Sequence, residues 1–182
     1  MALLLFLGAV TLVGQVHATG KAEFPVPLES WQTEVESVGI VYHFVDLKGW
    51  DSLAYARAEW RTGLCHVYLD VWLFNTPDEL VNMVLHEVGH CMDLFKFGFD
   101  HNGLAWGDCS VNSHDCRPEE RFAEAWRVAY LQTCGRSLYP VGFPGEQAYV
   151  CELPDRLAVS AAVLPAHVNR IADFTVLKLE SP

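Results

Sequence analysis

The stretch Leu80–Leu94, LVNMVLHEVGHCMDL, decides how this chain is read. Leu80, Val81, Val84, Leu85, Val88, Met92 and the following Phe95 recur at helical spacing, which predicts a helix with one side turned to a core. His86, Glu87 and His90 stand in the middle of that run. Residues four apart differ by only about 40° around a helix axis, so the two imidazoles project side by side. That is the bite for two corners of a tetrahedral Zn2+ site, with each nitrogen about 2.0–2.1 Å from the ion. Glu87 is rotated roughly 100° from His86, so its carboxylate misses the ion and reaches a water held there, where a general base is required. The rival reading is a pair of core histidines bonded to backbone carbonyls. The position in mid-helix, the caps and the acidic helix downstream favour the metal.

The caps are explicit. Thr76 with Glu79 three residues on forms a capping box, Pro77 takes the first helical position, and Gly98 suits the C-terminal end. Gly89, inside the helix, costs about 1 kcal/mol relative to alanine. Either a strand or second helix approaches closely there, or the helix tolerates it.

Two imidazoles need a third ligand. An extended histidine motif would require glycine at position 93 and histidine at 96, where the chain has Asp93 and Lys96. A carboxylate from a later helix is the other common solution. The segment 117–131, RPEERFAEAWRVAYL, opens a second helix at Pro118 and offers Glu119, Glu120 and Glu124. Glu120 and Glu124 are one turn apart and share a face, while Glu119 is rotated away. Phe122, Ala125 and Ala129 lie on another side and can pack this helix onto the first. His101 is a weaker ligand candidate.

The remaining chain sets the context. It has 182 residues, enough for one domain. Residues 1–18 carry an apolar run from Ala2 to Val13 and end in Val16-His17-Ala18, the pattern of a cleaved secretory signal, with an uncleaved anchor as the alternative. Residues 19–182 then form a single domain of a secreted protein without stable membrane association. Six cysteines lie beyond the cleavage site, as expected of disulfides in an oxidising compartment, with Cys109–Cys116 favoured on loop length. No CxxC pair exists, against thiolate zinc or thioredoxin-type sites. The net charge of −11, from 23 acidic and 12 basic residues, excludes nucleic acid and a polybasic membrane patch. It would draw in a positively charged substrate.

The expected fold class is α+β, a small mixed sheet on the two helices. PLESWQTEVESVG (27–39) reads as a short helix ending near Gly39, and IVYHFVD (40–46) as a strand. AYARAEW and LCHVYLDVW flank Arg61-Thr62-Gly63 as a hairpin, the first arm being ambiguous with helix. LCHVYLD is a candidate edge strand for pairing with extended peptide. His43 and His66 are expected to be structural groups. The loop Phe99–Cys116 carries Trp106, a candidate cleft wall, and one more helix is expected around Ala158–Ile171.

HEVGHCMD (86–93) followed by EERFAEAWR (119–127) resembles the catalytic core of the anthrax lethal-factor-type metallopeptidases. The likeness spans Leu80–Tyr130. It implies a zincin-like zinc endopeptidase acting on peptides or proteins, with Glu120 as the third ligand. Glu124 would then orient a ligand histidine, and Asp93 would support the site from outside it. The family places a tyrosine seven residues before the glutamate ligand to assist the developing oxyanion. Here Ser113 occupies that place, and His114, Tyr139 or Tyr149 would have to supply the donor, with His114 the catalytic candidate. The alternative function is a secreted, disulfide-stapled binding protein whose zinc site is structural or inactive. Glu87 argues against it, since a purely structural site has no use for a base.

Overall fold

The computed structural model describes residues 27–48, 50, 52–101 and 114–162. The expected signal segment, Trp106, Cys109 and Ser113 lie outside the described residues. Four strands precede three helices: β1 Glu29–Val35, β2 Val38–Phe44, β3 Ala54–Glu59, β4 Leu64–Leu69, α1 Pro77–Phe95, α2 Pro118–Thr133 and α3 Arg156–Ala161. The sheet order is β1-β2-β4-β3, with β2 and β4 parallel and both outer pairs antiparallel. The protein is thus α+β with a mixed sheet.

Alternation along the strands separates two faces. Val38, Ile40 and Tyr42 of β2, Cys65, Val67 and Leu69 of β4, and Ala54 of β3 are buried toward the helices. They meet Val84, Leu85, Val88 and Met92 of α1 and Phe122, Ala125, Trp126 and Ala129 of α2 in one core. Each large apolar side chain buried this way contributes about 1.5–3 kcal/mol. The small side chains of β3 (Ala54, Ala56 and Ala58, each paired with β4) leave room for α1, which packs on β3 more closely than on β2 or β4. Disulfides Cys65–Cys91 and Cys134–Cys151 close separations of 26 and 17 residues, each worth roughly 3 kcal/mol by loop-closure entropy. The first pins α1 to β4 immediately after His90. Cys116 is also disulfide-bonded.

Both helices begin as their sequences predict. The Thr76 hydroxyl accepts the Glu79 N–H at 3.2 Å, and the Glu79 carboxylate accepts from Asn75 N–H at 2.6 Å, one residue earlier than a standard capping box. Gly98 takes φ +66 just past the last turn. The helix expected around Ala158–Ile171 is found as Arg156–Ala161, ending where Ala162 turns extended at φ −62 and ψ 123; residues 163–171 lie outside the described residues.

Two expectations fail. The segment 27–39 is not a helix: Glu29–Val35 pairs with β2 as an edge strand. The connecting turn places Glu36 at φ 45 and Ser37 at φ 73, a mirror-image turn that normally calls for Asn-Gly. Its residues therefore carry no hairpin signal, and their polarity reads as helical. The Glu36 carboxylate pairs with Lys96 at the end of α1, which ties the hairpin tip down. Second, β4 is an inner strand between β2 and β3, so LCHVYLD has no free edge. Among the described residues the edges are β1 and β3.

The face away from the helices carries a row of rings in register, Tyr55, Tyr68 and His43, one from each neighbouring strand, capped by Ser30. Tyr55 stacks on Tyr68 at 4.6 Å and Tyr68 on His43 at 4.4 Å. His43 bonds Ser30 Oγ through Nδ1 at 2.9 Å and His66 through Nε2 at 2.8 Å. Burial, with the His66 charge second, lowers the His43 pKa to about 4. The structural reading of these two histidines stands.

Ser37→Gly relieves the left-handed strain while keeping the Lys96 pair. Offset by glycine's unfolded-state entropy, it should stabilise the protein by about 0.5–1 kcal/mol; a denaturant midpoint that fails to rise refutes the strain. His43 binds its proton more weakly folded (about 4) than unfolded (about 6.5), so its share of stability is present above pH 6.5 and lost as pH falls toward 4. His43→Gln should flatten that decline, and identical pH slopes for the two proteins would contradict it.

Candidate metal centre

The site lies where α1 crosses α2. A methyl group at Gly89 would stand 2.7 Å from the Cα of Ala123 and 2.8 Å from its carbonyl oxygen, so the missing side chain lets the two backbones meet. That contact, the helix-approach reading of Gly89, brings the first turn of α2 over the polar face of α1.

There His86, His90 and Glu120 converge, each offering one ligand atom within 4.8 Å of the others. The Glu120 Oε2 lies 3.2 Å from His86 Nε2 and 3.4 Å from His90 Nε2. Three ligands at about 2.05 Å from a tetrahedral Zn2+ stand about 3.3 Å apart. Charge-assisted hydrogen bonds are shorter, about 2.7–2.9 Å. The three groups could therefore hold an ion, and at 3.2 Å the His86–Glu120 contact is also within hydrogen-bond reach. The two imidazole planes are perpendicular, at 89°, with ring centroids 4.9 Å apart, an edge-to-face arrangement.

The electrostatics follow from crowding charges into a mostly buried space. Burial alone would lower the His86 pKa, but the Glu120 and Glu124 carboxylates outweigh it and push it up to about 10. Glu120 is held well below the usual carboxylate range: burial opposes this, and the two imidazoles prevail. Glu87 is buried, and desolvation raises its pKa against the pull of both histidines. Its carboxylate is not one of the three converging groups, as expected of a residue rotated away from the ion. His114, exposed in the turn before α2, approaches Glu120 from outside, with Nε2 3.1 Å from Oε1. Its charge also bears on Glu87.

Glu124 lies one turn further along α2. Burial would raise its pKa, but Arg127, and secondarily His86, bring it to about 2. Arg127 Nε donates to Glu124 Oε2 at 2.8 Å, its Nη2 to Oε1, and its Nη1 to Asn82 Oδ1 on α1. Asn82 lies outside the quoted motifs, and Arg127 enters only as the last residue of EERFAEAWR (119–127), with no role assigned. The available signal was spacing: Asn82 stands four residues before His86 on the same helix face.

Asp93 is fully buried and accepts from His101 Nε2 with both oxygens, at 3.0 and 2.8 Å. His101 thus faces Asp93 rather than the two imidazoles, and the charge of His90, three residues before Asp93, also bears on that carboxylate. Tyr149 bears on Tyr130, near the C-terminal end of α2, and Tyr139 follows Ser137, whose carbonyl accepts the Tyr130 hydroxyl. Ten residues of helix put Tyr130 about 15 Å along the axis from Glu120, which leaves His114 as the donor candidate beside the cluster.

No family model, curated protein or solved structure matches the chain.

Gly89→Ala should gain about 1 kcal/mol of helix propensity yet lose more by forcing the helices apart, a net destabilisation of about 1–3 kcal/mol. Zinc binding should weaken at least about tenfold as Glu120 is carried off the imidazoles. Denaturant unfolding and a zinc titration check this; an alanine variant more stable than the parent would mean the helices do not touch there.

Proposed function

We propose that this chain is an exported, zinc-dependent endopeptidase of zincin-like fold, akin to the lethal-factor-type peptidases its motifs resemble. His86, His90 and Glu120 would bind the ion. The observation that carries the reading is the 3.2 and 3.4 Å spacing of the Glu120 oxygen from two imidazole nitrogens, with the buried carboxylate of Glu87 one residue away. Three protein ligands would leave room for a water on the ion, as catalytic rather than structural sites do.

Bound Zn2+ would supply Lewis acidity, lowering the pKa of a coordinated water to about 7 and polarising the scissile carbonyl. The chain's own residues do the rest. Glu87 takes a proton from the attacking water and returns it to the leaving amine, and its raised pKa suits a group that must both accept and release. His114, exposed and already directed at the cluster, donates toward the oxygen that gains charge. An extended peptide would pair with β3, the edge strand that packs on α1.

Export is supported by the apolar segment at residues 1–18 and by the disulfides. Among the described residues, no helix is long and apolar enough to cross a membrane.

Glu87→Gln is the test. The variant should retain zinc while cleavage of a peptide library falls by about 100- to 10,000-fold. His86→Ala, or chelation of the parent, should remove both zinc and cleavage. Undiminished cleavage by the Gln variant would overturn the mechanism. Zinc binding by the parent with no cleavage of any library would favour the disulfide-stapled binding protein.

A further inference from the structure

His86 presents Nε2 to Glu120, so its other ring nitrogen points into the helix interface. That Nδ1 is buried with no hydrogen-bond partner, and the Glu124 Oε2 stands 3.7 Å from it. A metal-ligating imidazole ordinarily donates its second N–H to a carboxylate, which fixes the ring and its tautomer. Here the acceptor is in place but just out of reach, and a shift of under about 1 Å would close the bond.

What sets the position of that acceptor is a fork. Arg127 grips both Glu124 oxygens, through Nε and Nη2, in the bidentate geometry that guanidinium alone provides. Its remaining arm, Nη1, donates to Asn82 Oδ1. The Asn82 amide is itself oriented, because its Nδ2 donates to the Asp78 carbonyl at 2.8 Å in the first turn of α1. Successive turns of the two helices thereby pair in opposite chain directions: Asn82 with Arg127, His86 with Glu124, then His86 and His90 with Glu120. The carboxylate facing His86 is anchored to the same helix that carries His86. Thermal sliding of α2 along α1 is therefore resisted one turn behind the ligand.

We infer that Arg127, held by Asn82, is a positioning residue that aims Glu124 at the Nδ1–H of His86 and so sets the affinity of the metal site. The inference rests on the metal-site reading of His86, His90 and Glu120. It concerns how tightly the ion is held, not which groups ligate it.

Zinc affinity of the purified protein, measured by competition with a chromophoric chelator, tests it without recourse to activity. Arg127→Gln should raise the zinc dissociation constant by 10- to 100-fold. Arg127→Lys keeps the charge and loses the fork, and should fall between the two. Asn82→Ala, a partly exposed position that leaves the Arg127–Glu124 pair intact, should weaken binding by several-fold with little change in the melting temperature of the metal-free protein. Parent-like affinity in folded Arg127→Gln overturns the inference, as does a lowered melting temperature with unchanged affinity, the signature of a merely structural pair. Should Arg127→Gln fail to fold, Asn82→Ala decides alone, and parent-like affinity there overturns the inference equally. A parent protein that binds zinc no better than its His86→Ala, His90→Ala double variant sinks the metal-site reading itself, a result distinct from either.

Discussion

Where α1 crosses α2, residue 89 has no room for a side chain: a Cβ would sit 2.7 Å from backbone of the opposing helix. Every distance in the candidate centre depends on that approach. Glutamate reaches only a few ångströms from its helix, and the close backbone approach at Gly89 and Ala123 brings Glu120 within 3.2 and 3.4 Å of His86 and His90. The glycine's helix-propensity penalty, about 1 kcal/mol, is offset by the contacts it permits along the seam of Val84, Val88, Phe122 and Ala125. On its other side α1 is held by the Cys65–Cys91 disulfide, one residue past His90. The helix bearing the paired imidazoles is thus fixed from both flanks, by covalent attachment to β4 and by close backbone contact with α2.

This arrangement answers why a helix that reads as core carries histidines and a glutamate in mid-run. α1 has two buried sides. Its apolar side packs on the sheet, and its polar side is covered by α2, whose own polar residues meet it. Isolated, such groups would each lose several kcal/mol on leaving water. Together they compensate one another, with a surplus of negative charge: Glu87, Glu120 and Glu124 face His86, His90 and Arg127, and the imidazoles are cations only if protonated. The elevated His86 pKa, about 10, expresses the demand of this pocket for a cation. A proton and a divalent ion would compete for the same nitrogens.

The legible parts of the fold were those specified locally. α1 and α2 follow from periodicity, proline at the first helical position and Thr76; β2 and the β3–β4 hairpin follow from β-branched residues and Gly63. β1 was hidden because its turn is made by Glu36 and Ser37, which do not advertise positive φ, and because its charged residues sit on an exposed edge. The inner position of β4 was hidden for a different reason. Its parallel pairing with β2 joins segments separated by a whole hairpin arm, and alternation within LCHVYL says nothing about how many neighbours the strand has. At the centre, His86, Glu87, His90 and the Glu120/Glu124 pair were visible as spacings within one helix each. Spacing places Asn82 on the face of His86 and Arg127 beside Glu124, but the link between the two joins separate helices, and no spacing within either one reveals it.

The two carboxylates of α2 also differ in how their charge is held, and position along the helix explains it. Glu120 is the third residue of a helix opened by Pro118, within the first turn, where unpaired N–H groups and the helix dipole favour an anion. Together with the imidazoles, that is enough to keep it ionised, the form in which a carboxylate ligates. Glu124 lies one turn deeper, beyond the range of the dipole, and is almost completely buried. Without a dedicated cation its burial would favour the neutral acid, whose proton would oppose a donating imidazole N–H. Arg127 removes that conflict. A carboxylate at the helix mouth therefore needs no arginine of its own, whereas the one a turn deeper does.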